Sequence, residues 1–287
     1  MRVVQAVNVN FQSARVSSFP RFRSNSNPVS DAWFDLKEGL ERHSLWINLG
    51  LQEVKQLYRG SLLGAAWIVV SFLVFGAGLI WFFGALSSTD ARWFAAYLLI
   101  GLWVYQYIAT AITGACTVFI AAEGWLRSQR LPMSLFAYKL TFRNVFNLAL
   151  TGLSVAMALA FLRHPLTWGA LWTIPALVVI IYTSVWVSLL LGFLTARFRD
   201  LQHIVATIMR FAFLMTPVLW VADELGTRGK FANINPLTHF IAIVREPLLN
   251  GQVVMFHWWV VLAMTAIGSL VTFAVFARFR RDLIFWL

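Results

Sequence analysis

The sequence predicts an all-α fold: a polytopic membrane protein with six transmembrane helices, an N-terminal amphipathic interface helix, and outer interfacial or re-entrant helices before the last span. Three observations carry that expectation. Six long apolar runs are separated by short polar loops, and each approaches the ~20 residues that a helix needs to cross a ~30 Å hydrocarbon core. Hydrophobic residues make up 60% of the chain and charged residues 12%, too apolar a balance for the alternative, a buried soluble helical core. The basic residues are also shared unevenly between the two sets of loops. Because lipid offers the backbone no hydrogen-bond partners, each run must satisfy its own peptide groups as a helix.

In chain order, residues 1–30 are rich in Ser, Asn and Arg without an apolar core. They predict a disordered cytoplasmic tail rather than a secretory signal. Residues 31–60 place Leu36, Leu40, Leu45, Trp46, Leu49, Val54 and Leu57 at helical spacing against Lys37, Glu38, Glu41, Arg42, Glu53 and Lys55. That pattern predicts an amphipathic helix lying on the inner leaflet, with packing on the protein's own surface as the plainer alternative. Residues 61–287 form the six-span domain. Its apolar runs cover 62–86, 93–120, 137–162, 168–196, 203–221 and 253–277. The largest inner loop after the tail is 121–136, and the largest outer segment is 222–252. In the latter, Asn235-Pro236 reads as an N-cap followed by Pro at the first helical position. With Leu237, Phe240, Ile241, Val244 and Leu248, it predicts a short helix lying in or dipping into the outer interface.

The formal charge is +11. In a soluble chain this would point to nucleic acid, but here position decides. With the N-terminus inside, 17 of the 23 Lys and Arg fall on the inner side, and five (Arg92, Arg163, Arg228, Lys230 and Arg245) on the outer side. The positive-inside rule then puts both termini in the cytoplasm, and no nucleic-acid partner is expected.

The chemistry of the chain is sparse. It contains no GxxxxGK[ST], HExxH, CxxC or GxSxG. The five histidines are scattered, and each reads as solvated or interfacial rather than metal-ligating. Cys116 reads as a buried, inert thiol. No pair of carboxylates lies within a span, which disfavours ion-coupled transport. One charge is deep: Arg210 falls about seven residues, roughly 10 Å, into the fifth run. Such an arginine faces a cavity or a partner, or else snorkels back to the interface.

Three stretches carry a family resemblance. They are Tyr58-Arg59-Gly60-Ser61-Leu62-Leu63-Gly64-Ala65-Ala66-Trp67; Phe198-Arg199-Asp200-Leu201-Gln202-His203 running on to Thr216-Pro217-Val218-Leu219; and Asn235-Pro236-Leu237 with Arg245-Glu246-Pro247-Leu248-Leu249. In this order, on six spans, the chain resembles the type-two ABC permeases of polysaccharide export, which move O-antigen, capsule or teichoic acid. The resemblance runs from about residue 41 to the C-terminus. It implies a homodimer docked to two copies of a separate ABC ATPase, with no cofactor in this chain because ATP and Mg are bound by the partner. The permease is then not itself an enzyme. It implies a bacterial inner-membrane location and a substrate of glycan carried on undecaprenyl pyrophosphate. It further implies that Glu123, Gly124, Trp125, Leu126, Arg127 and Arg130 form a coupling helix against the ATPase, with Trp125 and Leu126 as apolar anchors.

The substrate path is expected to involve Arg59, at headgroup depth where its guanidinium can meet a diphosphate. Arg210 should face a conduit between protomers, with Trp67, Phe211 and Trp220 among the aromatic rings that could line it. Two other readings stand beside this one. An ABC permease for a drug or lipid would share the spans and the coupling loop. A membrane enzyme acting on a polyprenyl lipid would need acidic clusters or metal ligands, and Asp200 and Asp223-Glu224 do not supply them.

Overall fold

The computed structural model describes residues 27–287. The tail expected over 1–30 therefore lies outside the described residues, except for its last four positions. Those four begin a helix, α1 (Pro28–Glu41), with Asn27 as N-cap accepting from the Val29 amide and Pro28 in the first turn.

The amphipathic stretch is two helices. α1 breaks at Arg42, and α2 (His43–Leu57) follows at once. Their buried face packs on the protein itself: α1 on α6 (Ser134–Phe161) and α10 (Met255–Phe279), and α2 on α6. Trp33, Phe34, Leu40 and Leu57 remain exposed on the other side. Packing on the protein's own surface thus accounts for one face of this stretch. Gly60 and Gly64 bracket the link to α3 (Ala66–Gly84), each with positive φ (82° and 54°). A side chain at either position would strain the turn that leads into the span.

Among the described residues, five helices are long and apolar enough to cross a bilayer: α3, α4 (Ala91–Ala115), α6, α7 (Thr173–Arg197, preceded by the 3-10 turn Trp168–Trp172), and α10. The fifth apolar run departs from a simple span. It folds as α8 (Leu201–Met215), whose 15 residues rise only about 22 Å. The helix stops before Thr216-Pro217, because a proline disfavours helical geometry in the residue before it and lacks an amide to donate. The chain then turns at residues 216–220 and runs on through a 3-10 segment, Ala222–Ile234.

α9 (Pro236–Leu249) starts at the predicted Asn235 cap, which accepts from the Leu237 amide at 3.0 Å. The cap also reaches back, its amide nitrogen donating to Thr216 Oγ1 at 2.8 Å. The helix does not lie along the interface. It inserts between α4, α7 and α10, and Thr238 to Arg245 are all buried. Pro236, Leu237 and Phe240 line a cavity of about 220 Å³ with Tyr107, Ile108 and Ser184, residues well inside α4 and α7. Leu249, at the other end, receives His164 of the α6–α7 hairpin. α9 is thus re-entrant, with its N-terminus deep and its C-terminus at the rim.

α4 is the central post. Its most apolar window is 78% buried, against 11% for α3. Small residues admit close helix contacts around it, as expected where no hydrophobic effect drives helices together in lipid. A Cβ on Gly152 of α6 would lie 2.7 Å from the Trp103 ring, whose Nε1 donates to the Leu148 carbonyl at 2.9 Å.

Candidate functional site

One face of the molecule, here the proximal face, carries α1, α2, α5 (Glu123–Ser128) and α11 (Leu283–Trp286). Asp35 organises it. The residue is 2% exposed, and its carboxylate accepts from the Met133 amide at 3.1 Å and the Ser134 amide at 3.0 Å. These are the first backbone donors of α6, which has no side-chain cap of its own. Arg280, at the end of α10, pairs with the same carboxylate at 3.0 Å and donates to the Asp31 carbonyl. One buried acid therefore pins α1, the entry to α6 and the exit of α10 together. Nothing in the sequence reading singled it out.

α5 leaves this platform as one and a half turns. Trp125 is 46% exposed, and Gly124, Arg127 and Arg130 are also exposed. Glu123 is bridged to Arg127 at 2.9 Å, one turn on. Leu126 departs from the expectation of an outward anchor. It is 7% exposed and packs into an inner core with Phe119, Phe193, Phe276 and Leu283. On a helix, adjacent positions point about 100° apart, so Trp125 and Leu126 cannot both face a partner. The result is a fixed helix that presents Trp125 and two arginines from a rigid base.

Two cavities flank α3. The first, about 450 Å³, lies among α3, α4 and α8, and Arg210 stands on its wall with Phe75, Tyr105, Gln106, Thr110 and Phe213. Arg210 is exposed, about 14 Å from the proximal end of α8, and no carboxylate among the described residues pairs with it. Tyr105 donates to the Met209 carbonyl and so ties α8 to α4 beside the arginine. The second cavity, about 530 Å³, lies among α3, α4 and α6, with Trp67 and Tyr58 at its proximal end. Phe75, Gln106 and Thr110 border both.

Of the expected path residues, Arg210 and Trp67 line cavities. Phe211 and Trp220 line neither. Phe211 is 63% exposed on the outer side of α8, and Trp220 folds back so that its Nε1 donates to the Leu214 carbonyl at 3.0 Å. Arg59 is exposed just past α2, before the glycine-bracketed turn.

Three further placements differ from expectation. Arg245 is not an outer-loop charge: it is 5% exposed, its guanidinium lies 3.9 Å over the Tyr97 ring, and it donates to the Pro217 carbonyl at 2.6 Å. It thereby holds the break after α8 against α4. His239 is buried rather than solvated, with Nδ1 at 2.7 Å from Nδ1 of His257 and Nε2 donating to the Asn233 carbonyl. Glu224 ties the distal segment to the α3–α4 hairpin by accepting from the Ser88 amide and from the hydroxyls of Ser87 and Ser88. These bonds, Ser88's first, hold its carboxyl below the usual range.

The fold is that of a multi-pass helical membrane protein that carries a short exposed helix, α5, on its proximal face. The chain belongs to the ABC-2 type transporter family, whose model matches residues 45–249. Membership makes it the membrane subunit of a transporter rather than an enzyme, and implies an ABC ATPase as partner. Among curated proteins, it is 25% identical over 242 residues to an O-antigen export system permease protein, RfbA, of Klebsiella pneumoniae, covering 80% of this chain and 89% of that one. It is 24% identical over 207 residues to an RfbA of Myxococcus xanthus, covering 70% and 79%.

Proposed function

We propose that this chain is the membrane half of a bacterial exporter that moves a lipid-linked polysaccharide, of the O-antigen type, out across the inner membrane. Two copies form the conduit, two ATPase subunits bind the proximal face, and ATP and Mg reside on the ATPases. The proximal face is cytoplasmic, as are both termini. The observation that carries the reading is the similarity to O-antigen export permeases over four-fifths of the chain. The residues around the two cavities are consistent with it.

Mechanically, α5 is the contact through which the ATPase acts. Trp125 supplies buried area, and Arg127 and Arg130 supply polar contacts, the composition of an interface hot spot. Because Leu126 anchors α5 in the inner core beside Phe193 of α7, Phe276 of α10 and Leu283 of α11, a push on Trp125 is passed to those helices rather than absorbed locally. Arg59 sits where the lipid diphosphate of the substrate would arrive and offers it charge-assisted hydrogen bonds. Arg210 faces the groove beside α3, the loosely packed helix, where water or substrate in a dimeric conduit keeps it solvated. A drug or lipid exporter of the same architecture remains the second reading, favoured by nothing specific in the cavities.

The test is genetic and direct. Removal of the permease from its native cell should abolish the surface polysaccharide and leave lipid-linked glycan on the cytoplasmic side. The wild-type chain should restore export, and a chain carrying Arg210→Leu should not. Normal surface glycan in the deleted strain would refute the proposal.

A further inference from the structure

The cavity among α3, α4 and α6 contains a polar side chain with nothing to bond to. Asn144 is 2% exposed and borders this cavity, and neither its Oδ1 nor its Nδ2 has a hydrogen-bond partner among the described residues. Leaving a buried amide unpaired leaves its desolvation cost uncompensated, so such a residue signals something the site is built to take. One and two turns further along, the same wall carries further uncharged polar groups, Asn147 and Thr151 on α6, with Gln106 and Thr110 facing them from α4. No Lys, Arg, Asp, Glu or His borders the cavity. Its other walls are rings, including Trp67 and Phe75 of α3. The volume, about 530 Å³, lies within the range of small-molecule sites.

That lining selects a chemistry. Without charge, it rejects phosphate and ammonium groups, whose desolvation would go uncompensated. An amide presents one donor and one acceptor side by side, and two neighbouring hydroxyls on a ring do the same. Aromatic walls suit the apolar CH face of such a ring. We infer that this cavity is a binding site for an uncharged, hydroxyl-rich sugar ring attached to an apolar tail, seated with its hydroxyls on Asn147 and Gln106 and on Asn144 once a turn of that side chain brings its covered amide to the cavity surface. The tail leaves past α3, which is only loosely packed. The inference rests on the proposed function only for the source of the sugar. The ring comes either from a resident neutral glycolipid or from the glycan being exported.

The probe is dodecyl maltoside carrying a photoreactive diazirine in its tail, against a dodecyl polyether of equal tail length. The full chain, with its ATPase, is placed in nanodiscs and illuminated, and labelled peptides are mapped. The maltoside should label α3, α4 and α6 around the cavity and be displaced by octyl glucoside, while the polyether should not. Asn144→Leu with Asn147→Leu should lower that labelling about ten-fold, the equivalent of one to two lost neutral hydrogen bonds. The thermal midpoint without sugar should be unchanged or raised, because an unpartnered amide has been removed. That rise separates loss of a site from loss of the fold. Equal labelling by polyether and maltoside, or labelling unaffected by the double substitution, overturns the inference. If unfolding accompanies the double substitution, Asn147→Leu alone serves instead, and undiminished labelling there overturns it equally. Export then identifies the source: a fall in surface glycan in the double variant assigns the ring to the substrate, and full export with loss of a co-purifying glycolipid assigns it to the membrane. Failure of the wild-type chain to export any glycan would refute the proposed function and leave the labelling result standing.

Discussion

Asp35→Ala should destabilise the protein more than any other single exposed-to-buried charge change on the proximal face. The carboxylate receives two backbone amides at the start of α6 and the Arg280 guanidinium, with 1% of its side chain exposed. Removing one member of a buried pair costs about 3–5 kcal/mol, chiefly by stranding the other charge. Here the lower end applies, because Arg280 is 21% exposed and keeps the Asp31 carbonyl at 2.7 Å. The loss should therefore be about 3 kcal/mol, lowering the midpoint on the order of 5–10 °C. Asp35→Asn keeps one acceptor and the shape, and should lose about half as much. Because Met133 and Ser134 follow directly on the segment after α5, the same variant should weaken capture of the ATPase even when the protein remains folded. The assay is thermal unfolding in detergent followed by size-exclusion chromatography, with ATPase co-purification measured below the midpoint. If Asp35→Ala lies within about 1 kcal/mol of wild type, the carboxylate does not organise this face, and the reasoning from its contacts fails.

Other expectations follow from the same geometry. Trp125→Ala with Arg127→Ala should cut ATPase co-purification about ten-fold at unchanged midpoint, whereas Leu126→Ala should lose about 2–4 kcal/mol of stability instead, as a core truncation does; the opposite pattern would reverse the assignment of the two faces of α5. Arg59→Lys should retain partial export and Arg59→Ala very little, because the charge survives in the first and the bidentate fork in neither; full export by Arg59→Ala, at normal expression, would leave the residue a membrane anchor. Single cysteines at 238–245 should resist a membrane-impermeant reagent uniformly, since α9 is buried on all sides, while periodic labelling would place it on the surface. Glu224, whose folded pKa is depressed, contributes its latch above the unfolded carboxylate pKa and loses it as pH falls through the folded value; protection of the amides at 216–235 against hydrogen exchange, relative to the intrinsic rate at each pH, should fall on acidification, and Glu224→Gln should remove that pH dependence.

What the chain reveals unaided is uneven, for physical reasons. Long apolar runs are written locally, so five spans, the Asn235 cap and the inward position of Cys116 can be read directly. The shortness of α8 was signalled by Thr216-Pro217, but the pattern of apolar residues runs on past it without change, and hydropathy cannot register a helix that stops. Asp35 looks like one more charge on an amphipathic helix. Its role as a cap depends on amides almost a hundred positions away. Arg245 lies in an otherwise apolar stretch, Ile241 to Val244, and that contrast was the available clue to its burial over Tyr97. Trp125 and Leu126 were distinguishable only by helix phase, and a six-residue helix has too little sequence to fix its phase.

The central claim is that ATP hydrolysed by a separate subunit drives glycan through a conduit built from this chain. It is tested most directly in proteoliposomes containing the permease and its ATPase, with a labelled lipid-linked glycan on the ATPase side. The measured quantity is glycan that becomes inaccessible to an added glycan-cleaving enzyme. The account predicts ATP-dependent protection with wild-type permease, and none with Trp125→Ala plus Arg127→Ala or with permease alone. Protection that proceeds without the ATPase, or its absence in the complete wild-type system at a normal ATP turnover, would contradict it.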